Sequence, residues 1–249
     1  MLKGKVAIIT GSSRGIGYAI AELFLKAEAK VVICGSKKES AEKAKQKLLE
    51  LEYENDNILP VGIDVVNPLS FQSLVKEVID KWGRIDVLVN NAGITDNVAF
   101  LESTREEFKK MFDVNFFGVV DLTREVSKYM KENGGGSIIN TSSMVGINGG
   151  RGQSAYASSK SAINGLTISL AKELGPYNIR VNAVAPGVVG TDMMRDNVSE
   201  QMKEGLINMT PLRRMALPND LAGAYLYLAS DISSFTTGTI IKVDGGLMM

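Results

Sequence analysis

The sequence predicts a doubly wound α/β fold, a parallel sheet with helices on both faces. Three observations predict it. Seven short runs rich in β-branched residues recur at 5–10, 30–34, 58–63, 86–90, 137–141, 180–185 and 239–243. Most are apolar nearly throughout instead of alternating, as strands covered on both faces are. Segments of helix length separate them, so strand and helix alternate from one end to the other.

The first run, Val6-Ala7-Ile8-Ile9, stops at Thr10-Gly11 and leads through a glycine-rich turn into a helical run over 16–27. After the second run, Ala41, Ala44, Leu48 and Leu51 recur at helical spacing, and Lys and Glu fill the outer face of 38–54, the pattern of an amphipathic helix. Gly134-Gly135-Gly136 reads as a turn before the fifth run. Between the sixth run and a helix starting near Pro218 lies a connection over 186–217. Connections of that length are usually lids or binding loops. Its Met193, Met194, Met202, Met209 and Met215 are flexible and polarisable enough to wrap an apolar ligand of variable shape, or they pack a plain helical insertion against the body. With no linker, repeat or low-complexity block, 1–249 reads as one domain with 186–217 as its lid insertion.

Composition narrows the chemistry. The chain has 28 Lys+Arg, 28 Asp+Glu, no histidine and a single cysteine, Cys34. Ser-His-Asp and Cys-His nucleophilic sites and histidine-containing metal sites are therefore excluded, and no metal site is expected. Protons must move through Tyr, Lys, Ser, Asp or Glu. A lone thiol forms no internal disulfide, and zero formal net charge gives no general attraction to nucleic acid or an anionic membrane. The first apolar run is too short for a signal-peptide core, and no run approaches a membrane span. A cytoplasmic protein is expected, with Cys34 as a small core residue.

The turn Thr10-Gly11-Ser12-Ser13-Arg14-Gly15-Ile16-Gly17 sits at a strand-to-helix junction. Its glycines let the backbone approach a phosphate closely, and the helix N-terminus offers free N–H groups and partial positive charge. Asn90-Asn91-Ala92-Gly93 follows the fourth run, then Asn115 in a helix, Ser143 after the fifth run, Tyr156-Ala157-Ser158-Ser159-Lys160, and Pro186-Gly187 after the sixth. In this order and across the whole chain, the set resembles the short-chain dehydrogenases/reductases. The resemblance implies a Rossmann-like seven-stranded parallel sheet of order 3-2-1-4-5-6-7 and an NAD(P)-dependent oxidoreductase acting on CH–OH groups.

Tyr156 and Lys160 are four apart, one helical turn on one face. A neighbouring ammonium and the helix N-terminus would both lower the phenol pKa. The resemblance implies that Tyr156 is the general acid in ketone reduction and the base in alcohol oxidation. Lys160 would lower its pKa and hold the cofactor ribose, Ser143 would bond the substrate oxygen, and Asn115 would support a water-mediated proton path to Lys160. Taken singly, Ser143 reads better as a turn residue and Asn115 as a disruption of its helix near Gly118; the ordered set points to catalysis.

For the cofactor, the turn residues Gly11, Ser13, Arg14, Gly15, Ile16 and Gly17 are expected contacts. NAD-selective relatives usually end the second strand with an acidic residue, whereas here Cys34-Gly35-Ser36-Lys37-Lys38 holds no carboxylate before Glu39. Arg14, Ser36 and Lys37 can instead face a 2′-phosphate. NADP(H) is therefore expected, with NAD(H) not excluded. By resemblance Asp64 and Val65 contact the adenine, Asn91, Ala92 and Gly93 line the cofactor with Tyr156 and Lys160, and Pro186, Gly187, Val189 and Thr191 lie at its nicotinamide end.

Gly152-Gln153-Ser154-Ala155-Tyr156, Ala185-Pro186-Gly187 and Leu228-Ala229-Ser230-Asp231 are similar to 3-oxoacyl-(acyl carrier protein) reductases. Such relatives carry arginines where this chain has Gly134 and Tyr177, although Lys128 and Lys131 are nearby. The stretches beginning Gly83-Arg84-Ile85-Asp86 and Pro211-Leu212-Arg213-Arg214-Met215 look like bacterial bile-acid hydroxysteroid dehydrogenases. The expected substrate is a small apolar ketone or alcohol, an acyl thioester first and a steroid second. A binding protein that senses NADP(H) without turnover is the reading from another class. The resemblance also implies a homotetramer built through the helices around Asn115 and Tyr156 and through the C-terminal strand. The apolar tail Gly245-Gly246-Leu247-Met248-Met249 would lie at that interface.

Overall fold

The computed structural model describes residues 1–192, 194 and 199–247; Met193 of the connection and Met248-Met249 of the tail lie outside them. β1 (Val6–Ile9), β2 (Lys30–Gly35), β3 (Ile58–Gly62), β4 (Val87–Asn90), β5 (Gly136–Thr141), β6 (Ile179–Pro186) and β7 (Ile240–Val243) form one sheet in the order β3-β2-β1-β4-β5-β6-β7. Every neighbouring pair is parallel. All seven fall within the predicted runs to about a residue or two. The central strands are apolar throughout because both faces are covered: Ala7 and Ile9 join one core, Val6 and Ile8 the other. β3 is an edge strand, and it alone holds a proline in mid-strand, Pro60, where a missing N–H donor is tolerated.

Helices cover both faces. On one, α1 (Gly15–Lys26) and α2 (Lys38–Glu50) bury Ile20, Phe24, Ala41, Ala44 and Leu48. On the other, α3 (Pro68–Trp82) and α5 (Gly118–Glu132) bury Phe71, Leu74, Leu122 and Val126 against Ile8, Leu88 and Ile138. α4 (Arg105–Phe112) opens with a capping box from Thr104 to Glu107, which satisfies two otherwise unpaired backbone donors. A short α6 (Val145–Asn148) and the long α7 (Ser154–Leu174) follow β5. Cys34 is fully buried, and burial pushes its thiol pKa up, which suits the small core residue expected.

Past β6, Val189 bridges Ala216 and the connection forms α8 (Glu200–Met209) before α9 (Pro218–Ala229) returns to the core through Leu221 and Tyr225. Met202 and Met209 of α8 are 55% and 52% exposed. These two do not pack the segment against the body. Among the described residues no helix is long and apolar enough to cross a membrane.

A buried polar chain crosses the core. The Asn90 amide donates to Thr123 Oγ1 and Asn140 Oδ1, both at 2.9 Å, and Asn140 donates to Thr167 Oγ1 at 2.9 Å. It ties β4 and β5 to α5 and α7. Asn140→Ala leaves the Asn90 amide and the Thr167 hydroxyl each one partner short, at a cost of about 1–3 kcal/mol per unsatisfied group. The expected result is a native-like circular dichroism spectrum with a clearly lower urea midpoint.

Candidate active site

Because the strands are parallel, β1, β4, β5 and β6 all end on one side of the sheet. Connections leave β1 and β4 in opposite directions, and a crevice opens at such a switch point. The glycine turn sits there. Thr10 Oγ1 accepts from the Asn91 and Ala92 N–H groups at 2.9 and 3.0 Å, and the Asn91 side chain donates to the Thr10 and Gly11 carbonyls. Gly11 is at φ +63°, and a Cβ there would stand 2.9 Å from Ala92 Cα. At Gly17 a Cβ would lie 2.6 Å from the Asn91 amide nitrogen and 2.8 Å from Ser12 Cα, so only glycine fits.

Several expected contacts gather at this turn. Arg14 caps α1 without a side-chain hydrogen bond, and no acidic residue occupies the first turn, so the first N–H groups face outward unpaired by side chains. Gly15 adopts φ +58°, with Thr191 beside it at 3.5 Å from where its Cβ would be. Ser13 and Ile16 are half-buried. The exposed Arg14 guanidinium reaches Asp192 Oδ2 at 3.5 Å. Ser12, which sequence reasoning passed over, is buried; it donates to the Ile9 carbonyl at 2.6 Å and accepts from Cys34 N–H at 2.9 Å. It stitches β1 to β2, and nothing in the sequence separates it from Ser13.

Ser36, Lys37 and Asp64 share the wall of one cavity with Lys38 and Glu77. Val65 turns its carbonyl against Gly118, where no Cβ would fit. Pro186 and Val189 are buried, and Gly187 packs on Asp244.

Asn115 and Lys160 meet at Gly93, and Lys160 and Ser143 stand beside Tyr156. A Cβ on Gly93 would lie 3.1 Å from Asn115 Oδ1 and 3.5 Å from Lys160 Nζ. The Ser143 hydroxyl accepts from Val145 N–H at 3.2 Å and lies close enough to the Tyr156 phenol to hold its pKa down. Lys160 Nζ lies 5.8 Å from the Tyr156 ring centroid and donates to the Thr141 carbonyl at 2.8 Å. Asn115 is buried and grips the Ile94 backbone from both ends, accepting from its N–H and donating to its carbonyl at 2.9 Å; it also donates to Ser159 Oγ at 3.2 Å. Its element is a π-helical turn, Asp113–Phe117, between α4 and α5. Such turns re-aim one side chain within a continuous helix.

The electrostatics correct one expectation. The Tyr156 phenol is pushed up by burial, with the Ser143 hydroxyl pulling it partly back. Lys160 is itself pushed down to about 8 by burial. Loss of solvent is the leading cause for both groups, and the ammonium donates to the Thr141 carbonyl beside the ring. The fully buried Tyr225, paired with Thr141 at 2.9 Å, is a neighbour no sequence signal announced.

Between about pH 8 and 10.5 the unfolded chain holds the proton that folded Lys160 has released, so this group's contribution to stability grows with pH across that window and burying the ammonium opposes folding below it. Lys160→Met should therefore be more stable than wild type at pH 7 by an amount on the order of 1–3 kcal/mol. The gap should close as the pH rises toward 10.5. Urea denaturation of both proteins across that range checks it.

Comparison with known proteins agrees with this geometry. The family model described as enoyl-(acyl carrier protein) reductase matches residues 11–248. The 3α-hydroxysteroid dehydrogenase of Mediterraneibacter gnavus is 44% identical over 98% of this chain and 97% of its own length. The 3-oxoacyl-(acyl-carrier-protein) reductase FabG of Thermotoga maritima is 41% identical over 100% and 99%. Among solved structures, a 7α-hydroxysteroid dehydrogenase complexed with NADH and 7-oxo glycochenodeoxycholic acid superposes with a TM-score of 0.94 at 34% identity, covering 99% of this chain and 95% of that one. The chain belongs to the short-chain dehydrogenase/reductase family, enzymes that act on CH–OH groups.

Proposed function

We propose that the chain is an NADP(H)-dependent oxidoreductase interconverting a ketone and a secondary alcohol on an apolar substrate, in the manner of a 3-oxoacyl-thioester reductase. The observation that carries the reading is the placement of Ser143 and Lys160 beside Tyr156, the hydroxyl near enough to hold the phenol pKa down and the ammonium 5.8 Å from the ring centroid. Tyr156 delivers its phenolic proton to the carbonyl oxygen in reduction and takes it back in oxidation. Ser143, its oxygen held by Val145 N–H, orients that carbonyl. Lys160 holds positive charge beside the phenolate as it forms, and Asn115 fixes the Gly93–Ile94 backbone against it. The nicotinamide, when bound, supplies or accepts the hydride at the carbinol carbon.

The residues present fit that cofactor. The open N–H groups of α1 and the glycine turn suit a pyrophosphate, with Gly11, Ser13, Gly15, Ile16 and Gly17 around it. Arg14, Ser36 and Lys37 meet the 2′-phosphate. Asp64 and Val65 flank the adenine, and Asn91, Ala92, Gly93, Tyr156, Lys160, Pro186, Gly187, Val189 and Thr191 complete the groove. The solved relative holds NADH; here the absence of a carboxylate between β2 and Glu39 favours the phosphorylated form.

The second reading, a hydroxysteroid dehydrogenase, is favoured by the 44% identity to the 3α-enzyme and by a poor surface for an acidic carrier protein. Lys128 pairs with Glu125 at 2.7 Å, and the Lys131 ammonium lies 4.3 Å from the Tyr177 ring centroid. The segment 186–217 acts as the substrate lid of one domain over 1–249. The cytoplasm is the proposed location. A homotetramer is supported by exposed apolar side chains on the elements concerned: Phe117 at 51%, Ile168 at 41%, and Ile232 and Phe235 ahead of β7 at 69% and 105%.

Tyr156→Phe should keep wild-type NADPH binding and lose turnover by at least about 100-fold, as stopped-flow and titration would show. Substantial residual activity removes the proton assignment. Fluorescence titration should give a lower Kd for NADPH than for NADH, and the reverse order refutes the cofactor choice. A panel of acetoacetyl thioesters against keto bile acids separates the two substrate readings.

A further inference from the structure

The segment that presents Ser143 is gripped by side chains of α7 that the mechanism above does not use. The buried Ser142 hydroxyl donates to Asn164 Oδ1 at 2.6 Å, and Asn164 Nδ2 donates to the Gly146 carbonyl at 3.1 Å. Ser161 donates to the same carbonyl at 2.7 Å. Gly146 itself is pressed on Lys160: a Cβ there would stand 2.7 Å from Lys160 Cβ and 2.8 Å from its carbonyl carbon. On the opposite side the segment hangs from β6, through Ser142 N–H to the Val184 carbonyl at 2.8 Å and Met144 N–H to the Pro186 carbonyl at 3.0 Å. Asn164 therefore spans two residues that flank Ser143, from one helical turn beyond Lys160.

We propose that Asn164 is a positioning residue whose carboxamide, by holding Ser142 and Gly146 together against α7, sets the distance between the Ser143 hydroxyl and the Tyr156 phenol. The inference rests on the assignment of those two groups to the reaction. Its physical basis is leverage. β6 fixes the segment through backbone bonds alone, and sliding along α7 is opposed by Asn164, Ser161, the Lys160 ammonium on the Thr141 carbonyl and a weak Ser142 contact to the Lys160 carbonyl at 3.4 Å. Asn164 is the only one of these that engages both ends of the segment. A planar amide accepting on one edge and donating on the other allows little play in that spacing.

The test is Asn164→Leu, which keeps volume and removes both bonds, alongside Ser142→Ala and the double variant, all checked for native circular dichroism. Misplacement of reacting groups by about 1 Å costs up to about 100-fold, so kcat in alcohol oxidation should fall on the order of 10- to 100-fold, with KM and the NADPH Kd within about threefold. A Ser143 hydroxyl held less closely favours the phenolate less, so the acidic limb of the kcat profile should move to higher pH by about half a unit or more. The titratable groups around the phenol, Lys160 on its own helix and Tyr225 on α9, are retained in every variant. The double variant should be scarcely worse than Asn164→Leu, because both break one link. A folded Asn164→Leu with wild-type kcat and pH limb overturns the proposal, and so do effects of the two single changes that multiply in full. Should Asn164→Leu not fold, Ser142→Ala carries the same readouts alone and is judged by them. An active Tyr156→Phe points instead to failure of the catalytic assignment, since it is independent of Asn164.

Discussion

The hydrogen bond between Asn90 and Asn140, buried where β4 lies beside β5, fixes more of this molecule than its strength suggests. Both side chains sit at paired register positions, so the amide that joins them can form only when the two strands end level. The glycine turn depends on β4, because Asn91 and Ala92 immediately after it supply the N–H groups that anchor Thr10. Ser143 depends on β5. A slip of one residue between these strands would exchange side chains between the two covered faces and draw the nucleotide turn away from the phenol at once. Thr123 and Thr167 extend the constraint into α5 and α7, so the helix with the π turn and the helix with Tyr156 are keyed to the same two asparagines.

Burial then decides the chemistry that this alignment makes available. Desolvation raises the phenol pKa and lowers that of the ammonium, drawing both groups toward their neutral forms. The Ser143 hydroxyl is the one group that pulls the phenol the other way. Proton transfer here consequently depends on distances at Ser143 as much as on the presence of a lysine one turn along the helix. The low Lys160 value makes its charge state responsive near neutral pH, which the Tyr-x-x-x-Lys spacing does not convey.

The strands were legible in the sequence because a sheet covered on both faces demands apolar residues at consecutive positions, and no other element of that length does so. The turn at Gly11, Gly15 and Gly17 was legible because a side chain at Gly17 collides with the neighbouring backbone, so the residue type records the geometry. Ser12, Asn164, Thr167 and Tyr225 left no such record. Each acts through partners separated from it by 18 to 84 positions or sits in a periodic helix where its polar atom looks incidental. The π turn at Asn115 was legible only as a disruption of the helix near Gly118. Its sequence, DVNFF, carries no proline or glycine, and the turn places the Asn115 amide on Ile94 and Ser159.

The absence of histidine gives these contacts their weight. An imidazole titrates near neutral pH without much help from its surroundings. A phenol does not. Its ordinary pKa lies near 10, burial in this crevice moves it further from neutrality, and the correction must come from donors and positive charge held at fixed distance. The clamps on Ser142, Gly146, Ile94 and Thr10 are thus part of the acid–base apparatus in a physical sense, since they hold still the groups that make a tyrosine usable as a proton carrier.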